Sequence, residues 1–219
     1  MKVKKTKFEG VYKIDNKLAT INLVPGEKVY GEQLIKIGEV EYRIWDEFRS
    51  KPAAAIKNGL ENFPIKEGSK ILYLGIASGT TASHFSDIIK NGIIYGIEIS
   101  EIPLKDLILI AEKRKNIVPI LADARKIEQY EHLVEKVDVV YCDIAQPDEV
   151  RVFLENCKKF LKEKGYGMIA IKSRSIDVTK NPNEIYKQAK KEIEEYYEVL
   201  EIVKLDPYQK DHAILVCKA

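Results

Sequence analysis

Residues 71–81, ILYLGIASGTT, decide the fold: an apolar run of strand length opens directly into a turn containing Gly75 and Gly79, and a helix-compatible stretch follows. A strand buried on both faces reads as a continuous apolar run, and such a turn at its C-terminal end lets a ligand approach the backbone. The helix runs to about Lys90, and IIYGIEI (93–99) completes a βαβ unit. The alternation continues with a helix near 103–115, a strand NIVPIL (116–121), a helix around 127–135 and a strand VDVVYCDI (137–144). A helix at 147–162 and the strand GYGMIAIK (165–172) extend it. The pattern predicts an α/β fold with helices on both faces of one mostly parallel sheet.

Both ends of the chain depart from that rhythm. After a helix over 182–197, YYEVLEIVKL (196–205) and HAILVCKA (212–219) are joined by a connection too short for a parallel crossover, so they must pair antiparallel. A parallel sheet closed by a terminal antiparallel hairpin is the Rossmann-like seven-stranded methyltransferase plan, whereas dinucleotide dehydrogenases usually keep the last strand parallel. Toward the N-terminus, KFEGVYKI (7–14) and KLATINLV (17–24) flank Asp15-Asn16 as a hairpin. Residues 1–40 are expected to form a small β-rich domain and 41–219 the larger one. A composition change over 41–45 leads to Ser50 and KPAAAIKNGL (51–60), a helix with Pro52 in its first turn and Gly59 at its end.

Composition narrows the function. With 36 Lys and Arg against 34 Asp and Glu, the net charge of +2 supplies no general attraction to nucleic acid, so RNA contact would need a local basic patch or a partner. Cys142, Cys157 and Cys217 are scattered and odd in number, which argues against a disulfide framework and a zinc site and fits a reducing cytoplasm. No signal-peptide pattern and no run of roughly 18 apolar residues is present, so no membrane role is expected.

Three consecutive strand ends carry polar groups suited to an adenosyl ligand. The Gly75–Gly79 turn offers backbone amides with Ala77 and Ser78 between them; Glu98 ends the next strand, where a carboxylate accepts from a ribose diol; Asp123 ends the third and can read an adenine amino group. The spacing G-x-x-x-G lacks the third glycine of a pyrophosphate cradle, which favours S-adenosylmethionine over NAD. Alone, Gly75 and Gly79 would merely permit a tight turn; Glu98 and Asp123 tip the balance.

Taken together, YRIWDEFRSKPAAAI (42–56), ILYLGIASGTTASH (71–84), VPILADARK (118–126), VDVVYCDIAQPDE (137–149), GYGMIAIKSRSIDVTK (165–180) and PYQKDHAILV (207–216) resemble fibrillarin, the methyltransferase of box C/D ribonucleoproteins. No Gly- and Arg-rich tail is seen, which points to an archaeal-type member. The resemblance implies an S-adenosylmethionine-dependent rRNA/tRNA 2'-O-methyltransferase. By it, Thr80, Thr81, Glu98, Ile99, Asp123, Ala124, Asp143, Ile144, Ala145 and Gln146 join Gly75, Ala77, Ser78 and Gly79 at the cofactor. It also puts the family's Lys-Asp-Lys-His group on Lys51, Asp143, Lys172 and His212. Asp46-Glu47 in place of an Asn-Pro pair, Pro52 in place of Leu and Ile76 in place of Ala depart from the pattern. The implied partners are a box C/D guide RNA with its target, a Nop-type scaffold and a K-turn-binding ribosomal-protein-like protein.

The chemistry supplies its own rationale. A ribose 2'-hydroxyl must lose its proton as it attacks a methyl carbon, and an amine helps only when neutral, which burial beside Lys51 would promote at Lys172. Asp143 would orient that amine and hold the incoming hydroxyl, and Lys51 and His212 would position the ribose or its phosphate and stabilise developing negative charge. Arg49, Arg174, Lys180 and Lys210 flank this face as RNA contacts. Without the resemblance Lys51 and Lys172 read as solvated lysines, His84 and His132 as surface residues, and Trp45 as core. Two other readings stand beside this one: a small-molecule or protein methyltransferase, including one acting on glutamine side chains, and a non-catalytic RNA-binding assembly subunit.

Overall fold

The computed structural model describes residues 2–219; Met1, the first residue of the expected N-terminal domain, lies outside them. The larger layer is a seven-stranded sheet. Its strands are β6 (Lys70–Leu74), β7 (Ile93–Glu98), β8 (Ile117–Leu121), β9 (Val137–Cys142), β10 (Leu161–Lys172), β11 (Glu198–Lys204) and β12 (His212–Lys218), in the order β11-β12-β10-β9-β6-β7-β8. β6, β7, β8, β9 and β10 pair in parallel, while β12 lies antiparallel between β10 and β11. The terminal hairpin therefore forms as its short connection requires.

Order reversal at β6, with β7 on one side and β9 on the other, opens a crevice beyond the strands' carboxyl ends. Helices α2 (Thr80–Ile89), α3 (Glu101–Lys113), α4 (Glu149–Phe160) and α6 (Pro182–Glu194), with α1 (Lys51–Lys57) and the short α5 (Ser173–Ile176), cover the sheet. Two apolar layers result: Leu72, Val140 and Ile169 meet Phe153 and Ile185, while Ile71, Tyr73 and Tyr141 meet Ala54, Phe85 and Trp45.

The N-terminal sheet contains β1 (Val3–Lys5), β2 (Val11–Ile14), β3 (Lys17–Ile21), β4 (Leu34–Ile37) and β5 (Val40–Ile44) in the order β1-β2-β3-β5-β4. Asp15, at φ 53°, turns the β2–β3 hairpin between paired Ile14 and Lys17. This sheet runs on to Ile44, so a division at residue 40 would cut β5 from its partners. The run EYRI conceals the strand because Arg43 faces inward and is fully buried.

Two further expectations are corrected. Residues 127–135 form a single 3-10 turn, Ile127–Gln129, in place of a helix. Tyr130 is pulled into the core with its hydroxyl on the Ala124 carbonyl (3.0 Å) and Asn156 (2.6 Å), and the Gln129 side chain accepts the Asp123 amide, so tertiary bonds displace the helical ladder. His84 is fully buried, contrary to a surface placement: it stacks on Trp45 at 5.1 Å and bonds Thr20 and Tyr30 through its two ring nitrogens, each at 2.8 Å. His132 is exposed. Among the described residues no helix is long and apolar enough to cross a membrane, and no group of three or more metal-ligating side chains could hold a metal ion.

Candidate active site

The crevice holds a cavity of about 230 Å³ lined by the ends of β6, β7, β8, β9 and β10. Gly75 stands at φ 75°, and a Cβ there would lie 2.9 Å from the Asp143 carbonyl and 3.0 Å from Ile144 Cγ2, so only glycine keeps the strand end open. Glu98 is buried and fixed through both oxygens: Ala77 N–H donates to one and Ser100 N–H to the other, each at 2.9 Å. Its carboxylate keeps lone pairs for a diol. Ile99, exposed over 58% of its surface, forms an apolar rim with Ala122 and Ala124.

Of the expected cofactor residues, Gly75, Ala77, Glu98, Ile99, Asp123, Ala124, Asp143, Ile144, Ala145 and Gln146 line this cavity. Ser78, Gly79, Thr80 and Thr81 do not; they belong to the turn behind it and the first turn of α2. Thr81 instead shares a 2.9 Å hydroxyl bond with Ser50, tying the glycine turn to the residue before Lys51. Asp123 is clasped by Arg125, whose Nη2 lies 2.7 Å from Oδ2 and Nε 2.9 Å from Oδ1. That hydrogen bonding holds the Asp123 carboxyl below its ordinary value. Arg125 lines the cavity and was missed by sequence reasoning; its spacing from Asp123 in the DAR segment is the one available signal.

The four chemistry-bearing residues converge from four elements. Asp143 follows β9, Lys172 ends β10, His212 begins β12 directly opposite Lys172, and Lys51 opens α1. Asp143 Oδ1 lies 2.8 Å from Lys172 Nζ and 3.0 Å from Lys51 Nζ. Lys172 Nζ also donates to the Asp143 carbonyl at 2.6 Å. One carboxylate thus faces two ammonium groups. Asp143 and Lys172 line the cavity, whereas Lys51 and His212 lie outside its lining, Lys51 against the Asp143 carboxylate and His212 paired with Lys172.

His212 Nδ1 is 2.6 Å from the Lys210 carbonyl, which can only accept, so Nδ1 carries the proton and Nε2 presents a lone pair. Burial, reinforced by the Lys51 and Lys172 charges against the opposing Lys210 bond, lowers the imidazole below its ordinary value. Beneath the site, fully buried Glu149 accepts the Lys172 N–H at 2.8 Å, and burial pushes its carboxyl up to about 8.

The expected RNA contacts divide into two kinds. Arg174 is paired with Asp211 at 3.0 Å and Lys180 with Asp177 at 3.7 Å. Arg49 lies over the Tyr30 ring at 5.6 Å, and Lys210 is exposed at the turn before His212.

The family model described as Fibrillarin matches residues 2–219. The chain belongs to the fibrillarin family. It is 56% identical to a fibrillarin-like rRNA/tRNA 2'-O-methyltransferase of Pyrococcus furiosus, across 100% of this chain and 99% of that protein. Aeropyrum pernix fibrillarin, solved with natively bound S-adenosyl-L-methionine, superposes with a TM-score of 0.91 at 47% identity, covering 99% of this chain and 98% of that one. A fibrillarin solved in complex with Nop5p superposes with a TM-score of 0.89 at 40% identity, covering 95% and 97%. The fibrillarin fold accounts for both sheets at once, since these alignments run essentially from end to end.

Proposed function

We propose that this fibrillarin is an rRNA/tRNA 2'-O-methyltransferase using S-adenosylmethionine, with Lys172 as the proton acceptor. The observation that carries the reading is the convergence of Lys51, Asp143, Lys172 and His212 on the rim of a crevice whose strand ends suit an adenosyl group. Glu98, held by two amides, takes the ribose diol, and Ile99 with Ala122 and Ala124 sandwiches the base. When bound, S-adenosylmethionine supplies the electrophilic methyl group.

The remaining steps fall to side chains of this chain. Asp143 and Lys172 line the cavity, and Lys51 and His212 beside them receive the target ribose. His212 Nε2, unprotonated, accepts from a hydroxyl, so stabilising developing negative charge falls to Lys51. Lys172 Nζ, in its neutral form, takes the 2'-hydroxyl proton as the new oxygen–carbon bond forms, and Asp143 fixes its direction through the hydrogen bond to its carbonyl and the close approach of Oδ1. Glu149 anchors the Lys172 backbone.

The same reading includes a Nop-type scaffold, a K-turn-binding protein and a box C/D guide RNA that selects the target, all working in the cytoplasm. Methyl transfer to a guide-paired RNA in the reconstituted assembly tests it. Lys172→Met should lower the transfer rate about 10²- to 10⁴-fold with cofactor affinity retained, the usual weight of a general base. A 2'-deoxy target should accept no methyl group. Transfer to the deoxy strand, or a Lys172→Met rate equal to wild type, refutes the assignment.

A further inference from the structure

Phe48 is an apolar ring exposed over 61% of its surface, three residues before Lys51, in the turn that leads into α1. An exposed phenyl group on a surface turn gains nothing from water, yet this turn is held firmly. The Phe48 N–H donates to Asp46 Oδ1 at 2.8 Å, and the Phe48 carbonyl accepts from Gln209 Nε2 at 2.6 Å. The ring meets the edge of Tyr208 with centroids 5.2 Å apart and planes at 81°. Tyr208 and Gln209 are in turn fixed by amide bonds to the Leu205 carbonyl.

The same turn also governs His212. Gln209 grips Phe48, and the next residue, Lys210, supplies the carbonyl that sets the His212 tautomer. Phe48 is thus tied to both outer members of the four-residue group, through Lys51 along the chain and through the 206–211 turn to His212. Both lie outside the cavity lining but against its Asp143 and Lys172, Lys51 by an ion pair and His212 by strand pairing, where an acceptor ribose would be held. Arg49 follows Phe48 in the chain and Lys210 follows Gln209, which holds the Phe48 carbonyl; both are exposed, and neither is paired with a carboxylate in an ion bridge among the described residues. An aromatic face beside cations that can meet phosphate is the combination by which proteins hold an unstacked nucleobase.

We infer that Phe48, braced by Tyr208, is a stacking platform for the nucleobase flanking the target nucleotide, and so a positioning residue for the acceptor. Drawing a ribose toward a recessed crevice costs that nucleotide a stacking neighbour, and Phe48 replaces it with a ring of similar shape. Every base offers a π-face, so the contact is sequence-tolerant, which suits an enzyme whose targets are chosen by pairing. The inference rests on the proposed RNA acceptor.

The test is a double-mutant cycle in the fully assembled ribonucleoprotein, crossing Phe48→Ala with an abasic residue at either position flanking the target. With wild-type protein the abasic site should lower kcat/KM at one flank about tenfold or more beyond its effect with Phe48→Ala, the weight of one base–aromatic contact. Phe48→Trp should preserve that coupling, and Phe48→Leu, which keeps apolar packing on Tyr208, should abolish it. S-adenosylmethionine affinity should be unchanged in all three variants, which separates loss of the platform from loss of the fold. Equal abasic effects in wild type and Phe48→Ala at both flanks overturn the inference. So does a Phe48→Ala protein that fails to join the scaffold protein, which would make the ring a protein contact. If no RNA is methylated by wild type while cofactor binds, the proposed acceptor fails rather than the platform alone.

Discussion

Replacing Asp87 with Ala should cost about 4 kcal/mol of folding stability, because a buried cation left without its anion typically costs 3–5 kcal/mol. Asp87 Oδ1 lies 2.5 Å from Arg114 Nη1 and its Oδ2 2.8 Å from Arg43 Nη1, with all three side chains at most 2% exposed. The two arginines differ in what they keep. Arg43 retains Glu32 at 2.6 Å, whereas Arg114 has no second carboxylate partner among the described residues and falls back on Ser83, Ser86 and Asn22. The substitution also frees the Thr20 hydroxyl and the Leu23 amide, which donate to Asp87 at 2.7 and 2.9 Å. Asp87→Asn, keeping a neutral acceptor, should lose roughly half as much. For a chain of this length each kcal/mol is worth about 2–4 °C, so the Ala variant should melt about 8–16 °C lower. Urea titration followed by Trp45 fluorescence reads the effect directly, since Trp45 is the single tryptophan and stacks on His84 one turn along α2 from Asp87. A loss under about 1 kcal/mol would show that both arginines reach water or new partners, and would refute the view that this buried cluster clamps the N-terminal sheet onto α2.

Glu149→Gln probes the opposite kind of buried charge. Burial raises its carboxyl to about 8, so between the unfolded value near 4.5 and that point the folded chain holds a proton the unfolded chain releases. The stability it confers is full below about pH 4.5 and is lost as pH rises through 8. The Gln variant should therefore match wild type at pH 4 and exceed it at pH 9, by on the order of a few kcal/mol; parallel stability–pH curves would show the carboxyl is solvated. Gly75→Ala should weaken S-adenosylmethionine binding about tenfold or more by calorimetry, since its Cβ would meet the Asp143 carbonyl at 2.9 Å and φ is 75°. Gly68→Ala, at φ 79° with nothing within 4 Å of its Cβ, isolates backbone strain, and equal affinities in the two variants would defeat the steric argument.

The legible parts of the fold were those where one local pattern has one physical solution. Apolar runs ending in Gly75, Glu98 and Asp143 had to be strands of a covered parallel sheet, and a short link between 205 and 212 had to be antiparallel. Lys51 and His212 were harder: nothing local distinguishes them from surface residues, and only resemblance to fibrillarin placed them beside Asp143. What stayed hidden depended on partners distant in sequence. Arg43, Arg114 and Asp87 look like surface charges until three elements bring them together, and Glu149 looks like an ordinary first-turn acid until Lys172 arrives above it. The helix expected at 127–135 failed for the same reason, because Tyr130 has its partners in Asn156 and Ala124.

The charge distribution around the site bears on how such a chain finds its RNA. A net charge of +2 is too small to hold a polyanion, and Arg174 and Lys180 spend theirs on Asp211 and Asp177. Two lysines share Asp143, leaving one uncompensated positive charge there while Lys172 is protonated, before it serves as the proton acceptor. With Arg49 and Lys210 that makes about three phosphates neutralised, and a dependence of log affinity on log salt of only about −2. Binding of that strength orients a strand already delivered but does not select one. On the proposed function, selection then falls to guide pairing and the other proteins of the assembly, and the chain's own contribution is to bring one 2'-oxygen into line.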